Sequence, residues 1–247
     1  MGYDIESFIR FTGMMPGDST YDVEDLRQLW VFCRGDREQL EHLIAHTPFD
    51  LQDDVFVLGI ADFSSGPGWV DASLVLPISF EGRKGGTYFF EYEDQHTSVA
   101  MGRETWGYPK ALARVEWDET ATGIRGRVHD YDIDVFSVAV EFDETVDASA
   151  WSHLEIYPQF QVRAVPQQAG PGFDSLDVIT RDPSADYVAK ELLLGRAEVE
   201  IGAVDIANDI LGGERLKVLE VLGAELRVGD YHSTAENGVP RIVAGLV

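Results

Sequence analysis

The chain has 247 residues, 45% of them hydrophobic, which is enough to bury a sizeable core within one domain. Against 44 Asp and Glu stand 19 Lys and Arg, and the formal charge of -25 repels phosphate backbones and anionic headgroups, so nucleic acid and membrane surfaces are poor partners. Cys33 is the only cysteine, which excludes an intrachain disulfide and a multi-cysteine zinc site and fits a reducing, cytoplasmic setting.

Taken in chain order, the N-terminal "MGYDIESFIRFTG" is acidic where a secretory signal is basic, and no stretch anywhere approaches the ~18 apolar residues of a membrane span. Residues 29–34 read as a strand. A helix is expected over 36–46, where Leu40, Leu43 and Ile44 follow the helical period and Asp36 can cap the start. Strand patterns follow at 54–63, 72–80, 87–92, 97–101 "TSVAM", 111–117, 124–129 and 133–142. "EGRKGG" (81–86) and "DETATG" (118–123) lie between them as hairpin turns. Further strands are expected within 152–163, 176–181, 196–203 and 216–231, with a second helix at 204–211 ended by Gly212 and Gly213. Many short strands with few helices predict an α+β fold: a curved antiparallel sheet or β-barrel with peripheral helices, in a single domain over 1–247.

Several polar clusters have ordinary explanations. His42 and His46 have metal-compatible spacing beside Glu38 and Glu41, but the order is not HExxH and a surface helix accounts for them, so no metal is expected. Asp130, Asp132 and Asp134 alternate with apolar residues, as on the solvated face of a strand. "SSGPGW" (64–69) reads as a turn, Ser64 and Ser65 lack a nucleophile-elbow context, and Cys33 sits in an apolar strand as an inert thiol.

Lys110 is different. It is one of four lysines and follows a proline in "GRETWGYPKALARVEW" (102–117), among Trp106, Tyr108, Ala111 and Leu112. Pro109 and Gly107 make a rigid bend that aims the side chain, and burial lowers a lysine's pKa by disfavouring its charged form. A neutral amine attacks ketones, and the protonated imine is an electron sink. On the residues alone, a strand lysine reaching out to water is the more ordinary reading.

"GRETWGYPK" (102–110) resembles the signature of the acetoacetate decarboxylase family, and "LPISFEGRKGGTYFFEY" (76–92) resembles the segment that precedes it there. That family is itself a standard example of catalysis by an activated lysine, so the imine mechanism comes with the resemblance, and its imine-forming lysine falls on Lys110. The resemblance implies that Trp69 and Asp71, two apart on a strand, point into a pocket, with Asp71 moving protons, and that Arg103 and Glu104 support the loop. Trp69, Trp106, Tyr108 and Phe56 would contact substrate, Phe56 standing where the family has a second acid. Ala111 replaces a second lysine, so burial is left to lower the Lys110 pKa. A family arginine associated with the substrate carboxylate has two nearby matches, Arg27 and Arg34.

The resemblance implies a homo-oligomeric lyase without cofactor, acting on a small oxo acid or ketone through a Lys110 imine, with decarboxylation of a β-keto acid as the first expectation. Alternatives are an aldolase-dehydratase or cyclase step on the same fold, or a non-catalytic carrier of a small apolar metabolite.

Overall fold

The computed structural model describes Asp4, residues 20–202 and residues 210–247. The N-terminal stretch and most of the expected helix 204–211 lie outside the described residues.

Strand β1 (Asp22–Gly35) leads into helix α1 (Arg37–Ile44). The Asp36 carboxylate accepts from the Glu38 and Gln39 amides at 3.1 and 3.3 Å, satisfying two donors that a helix start leaves open. Leu40, Leu43 and Ile44 are buried as their spacing predicts, and His42 and His46 are exposed. Next come β2 (Asp50–Leu51), β3 (Val55–Asp62), β4 (Val70–Phe80) and β5 (Arg83–Glu93), the last two joined by the tight turn at Glu81 and Gly82.

Helix α2 (His96–Glu104) replaces the strand expected at "TSVAM". Thr97 and Val99 suggested extended chain, but the residues that become buried, Ser98, Met101 and Gly102, recur at helical spacing. The expected strand 111–117 divides into β6 (Lys110–Leu112) and β7 (Arg114–Glu119). β8 (Gly123–Asp130) and β9 (Ile133–Phe142) form a hairpin that turns at Tyr131 and Asp132. Asp130, Asp132 and Asp134 therefore do not share a strand face; they lie around that turn, where Asp134 pairs with His129 at 2.5 Å. The remaining strands are β10 (Gln159–Pro166), β11 (Phe173–Arg181), β12 (Tyr187–Ile201), β13 (Val218–His232) and, after the short helix α3 (Ala235–Gly238), β14 (Arg241–Gly245).

The strands join one mixed, mainly antiparallel sheet in the order β14-β11-β10-β5-β4-β3-β1-β13-β12-β9-β8-β7, with β2 beside β4 and β6 beside β5. The α+β class with a curved sheet is as expected, but the barrel is not closed. β7 curls back against β4 and β5 without joining their ladders, and the outermost strands β14 and β7 do not pair. The enclosed face carries the main core, in which Leu29, Val31, Phe56, Leu58, Leu74, Phe90, Val128 and Phe136 are almost fully buried. Among the described residues, no helix is long and apolar enough to cross a membrane.

Candidate active site

Two strand registers assemble the site. In the antiparallel β4–β5 pair Asp71 lies opposite Glu93, and in the parallel β5–β6 pair Glu91 lies opposite Lys110. Alternation puts Glu91 and Glu93 on one face of β5, so three acids and one amine from three adjacent strands converge. Lys110 is only 4% exposed; its Nζ donates to Glu93 Oε1 and pairs with Glu91 Oε1 at 3.2 Å. Ligand oxygens of Asp71, Glu91 and Glu93 lie within 4.8 Å of one another. Three carboxylates could hold a hard divalent cation, but the Lys110 ammonium already pairs with two of them and its charge opposes a second cation there.

The loop after α2 aims the lysine. Gly107 adopts φ +66, a conformation other residues resist, and turns the chain back toward β5. Arg103 Nη1 donates to the Lys110 carbonyl at 2.9 Å, fixing the bend from behind. Gly102 is needed for space: a Cβ there would meet Lys110 Cδ at 2.2 Å and Cε at 2.5 Å. Nζ sits 5.5 Å from the centroid of the Tyr108 ring. Tyr108 in turn donates to Gln159 Oε1, while Gln159 Nε2 donates to Tyr88 Oη at 2.8 Å.

Burial is the largest influence on Lys110 and acts to lower its pKa, but Glu91, Glu93 and Asp71 together outweigh it and hold the ammonium above the ordinary lysine range. The expectation of a lysine neutralised by burial is therefore corrected. The protons are displaced onto the acids instead. Burial pushes Glu91 up to about 7 against the opposing pull of Lys110, and burial together with Glu91 holds Asp71 well above the usual carboxylate range. The second oxygens of Glu91 and Glu93 are buried with no hydrogen-bond partner, a costly arrangement for a full charge and in keeping with the raised Glu91.

This group forms one wall of a cavity of about 90 Å³. Trp69, Asp71, Trp106, Tyr108 and Lys110 all line it, so five of the residues anticipated from sequence are brought together. Phe56 is not among the lining residues: it is fully buried in the main core, on β3 opposite Cys33, where its ring leaves little room beside Gly35. Glu104 is exposed on the last turn of α2, away from the lining. Neither arginine near the expected position lines the cavity; Arg27 pairs with Glu119 at 2.8 Å, and Arg34 pairs with Asp54 and, at 3.4 Å, with Glu220. Residues the sequence reading passed over complete the wall, notably Glu91, Glu93, Gln159 and Arg181. The Glu-x-Glu alternation of "EYE" (91–93) was a local signal for the first two. Arg181 had none, because β11 reaches the site only through long-range packing.

A buried amine backed by partly protonated acids, at the wall of an aromatic cavity in an open curved sheet, defines a site suited to carbonyl and proton-transfer chemistry. Residues 11–239 match the family model "Acetoacetate decarboxylase (ADC)", and the chain belongs to that family. A relative named acetoacetate decarboxylase from Ralstonia nicotianae is 25% identical over 172 residues, covering 69% of this chain and 68% of that one. Relatives of the same name from Burkholderia align over only 39% of their own length. A solved acetoacetate decarboxylase structure superposes with a TM-score of 0.79 at 17% identity, over 95% of this chain and 93% of that one. The enduracididine biosynthesis enzyme MppR, complexed with the condensation product of pyruvate and imidazole 4-carboxaldehyde, gives 0.71 at 14%, over 94% and 91%. At such identities these are likenesses of fold.

Proposed function

We propose that the protein is a carbon-carbon lyase that binds a β-keto acid or related oxo acid as an imine of Lys110 and removes carbon dioxide from it. The observation that carries this reading is the sealed contact of Lys110 Nζ with Glu93 and Glu91 at the cavity wall. In the resting state the amine is an ammonium, and attack on a carbonyl requires its proton to pass to Glu93. Exclusion of water by substrate favours that transfer, because a neutral pair loses less than an ion pair when solvation is withdrawn.

The neutral amine adds to the carbonyl carbon, and loss of water gives the iminium. The bond to the carboxylate carbon then breaks; its electron pair moves into the iminium to leave an enamine, and carbon dioxide departs. A protonated acid, Glu91 or Asp71, returns a proton to the enamine carbon, and water hydrolyses the imine to release ketone and Lys110. Membership of the acetoacetate decarboxylase family supports this sequence of steps. Single-domain organisation over 1–247 and a homo-oligomeric assembly belong to the same proposal.

The test is intact mass after incubation with acetoacetate, pyruvate or a longer β-keto acid followed by borohydride, with the adduct mapped by digestion. A reduced adduct on Lys110, absent in Lys110→Arg, is the expected result, since a guanidinium forms no such imine. A folded sample that binds these acids but gives no adduct on Lys110 would overturn the imine.

A further inference from the structure

The cavity has two electrostatic poles, and only one is compensated. At the acidic pole Lys110 is matched by Glu91 and Glu93 with Asp71 close by. Also against the Tyr108 ring is Arg181, the last residue of β11, with its Cζ 5.8 Å from that ring's centroid and 4.5 Å from that of Trp106. Among the described residues no carboxylate pairs with its guanidinium, and its Nε is shut off from solvent without a hydrogen-bond partner. Asp186 is near enough to be influenced by Arg181, but its oxygens accept from Thr234 N at 2.7 Å, Thr234 Oγ1 and Asn237 Nδ2 at 2.8 Å. Arg227, also on the wall, shows the contrast: its Nε and Nη2 are spent on Glu225 at 2.9 and 2.6 Å.

Arg181 is half-buried, and stacking on rings relieves only part of the cost of drawing its guanidinium partly out of water. An anion entering the cavity would supply the rest, and the same cavity is lined by three residues with buried, unpartnered donors, Trp106 Nε1, Tyr187 Oη and Tyr231 Oη. The acidic pole repels a carboxylate, whereas the Arg181 pole attracts one.

What Arg181 holds has a chemical consequence. Decarboxylation drains negative charge from the departing carboxylate, so a guanidinium pressed against that group stabilises the bound acid more than the transition state and slows the step. Resting on the imine reading above, we infer that Arg181 binds a carboxylate that the reaction leaves in place. The substrate is then an oxo acid with an anionic end remote from the reacting carbonyl. Where carbon dioxide is lost, it is a dicarboxylic β-keto acid whose second carboxylate, placed toward the acidic pole, is the one that departs.

The probes are levulinate, a γ-oxo acid that can form an imine but has no carboxylate placed for loss through it, and 2-pentanone, a neutral ketone of the same chain length. In the intact protein, half-maximal borohydride trapping should need on the order of 100-fold less levulinate than 2-pentanone. Arg181→Gln should abolish that advantage while still forming the 2-pentanone adduct, and a thermal midpoint close to wild type shows that the variant folds. Arg181→Lys, which keeps the charge but not the fork, should recover part of it. Equal trapping of the two probes in wild type, or an advantage that survives Arg181→Gln, would overturn the Arg181 site and leave the imine standing. If neither probe is trapped, the imine reading fails, and the thermal shift produced by levulinate decides the rest. A shift in wild type that is lost in Arg181→Gln would retain the anion site; no shift in wild type would remove it.

Discussion

At the scale of single residues, Glu91 sets the pH behaviour. Burial pushes its carboxyl from the ordinary 4.5 up to about 7, so the folded protein keeps a proton that the unfolded chain has already released. Folded protein therefore binds more protons than unfolded between those two values, and the contribution of Glu91 to stability falls as pH rises through that window and stays low above it. Glu91→Gln is neutral at every pH. Its thermal midpoint relative to wild type should rise between pH 5 and pH 8, as measured by circular dichroism melts across a buffer series. A difference that stays flat, or moves the other way, would mean that Glu91 is ionised in the folded state at pH 5. The same group explains why part of the site was hidden in the sequence. Lys110 was legible because proline, glycine and aromatics crowd around it within nine residues. Its acids were not, because their meeting with Lys110 depends on the β4–β5 and β5–β6 registers, which no local window contains.

At the scale of elements, α2 links the family-like signature to the lysine. Its apolar positions are few, Gln95 just before it makes no side-chain cap, and its β-branched residues favour extended chain, so the local signals pointed to a strand. Tertiary packing decides otherwise: Ser98, Met101 and Gly102 form a buried face, and Gly102 leaves the groove in which the Lys110 stem lies. Gly102→Ala separates folding from chemistry. Alanine favours a helix over glycine by about 1 kcal/mol, and the atoms its methyl would strike belong to a flexible side chain rather than backbone. The Lys110 stem would be forced off its present path, and because Nζ has two carboxylates within reach it can keep one as partner, so the buried ammonium is not left unpaired. The expected outcome is a thermal midpoint within a few degrees of wild type, with borohydride trapping slowed by roughly 10-fold or more. Unchanged trapping would show that the lysine stem can be rerouted and that the glycine is not required for its placement.

At the scale of the whole molecule, the strand alternation from β1 to β13 made the α+β class readable, but not the way the sheet ends. A barrel needs edge strands that pair, and pairing between β14 and β7 is a property of the assembled sheet that period-2 patterns do not encode. The open strip nevertheless has a central strand, β1, held by β3 along one side and β13 along the other. Cys33 lies on it, fully buried, and burial pushes its thiol up to about 12. A thiol reagent at pH 8 therefore meets neither an accessible sulfur nor a thiolate. To expose Cys33 both flanking ladders must separate, and since the core spans those strands, that opening amounts to unfolding the sheet. Labelling in native buffer should be slow and should accelerate with urea along the same slope as the equilibrium unfolding transition. Labelling that is fast and insensitive to urea would instead show that β1 opens locally, and that the strip is held mainly by its curled-back end at β7, β4 and β5.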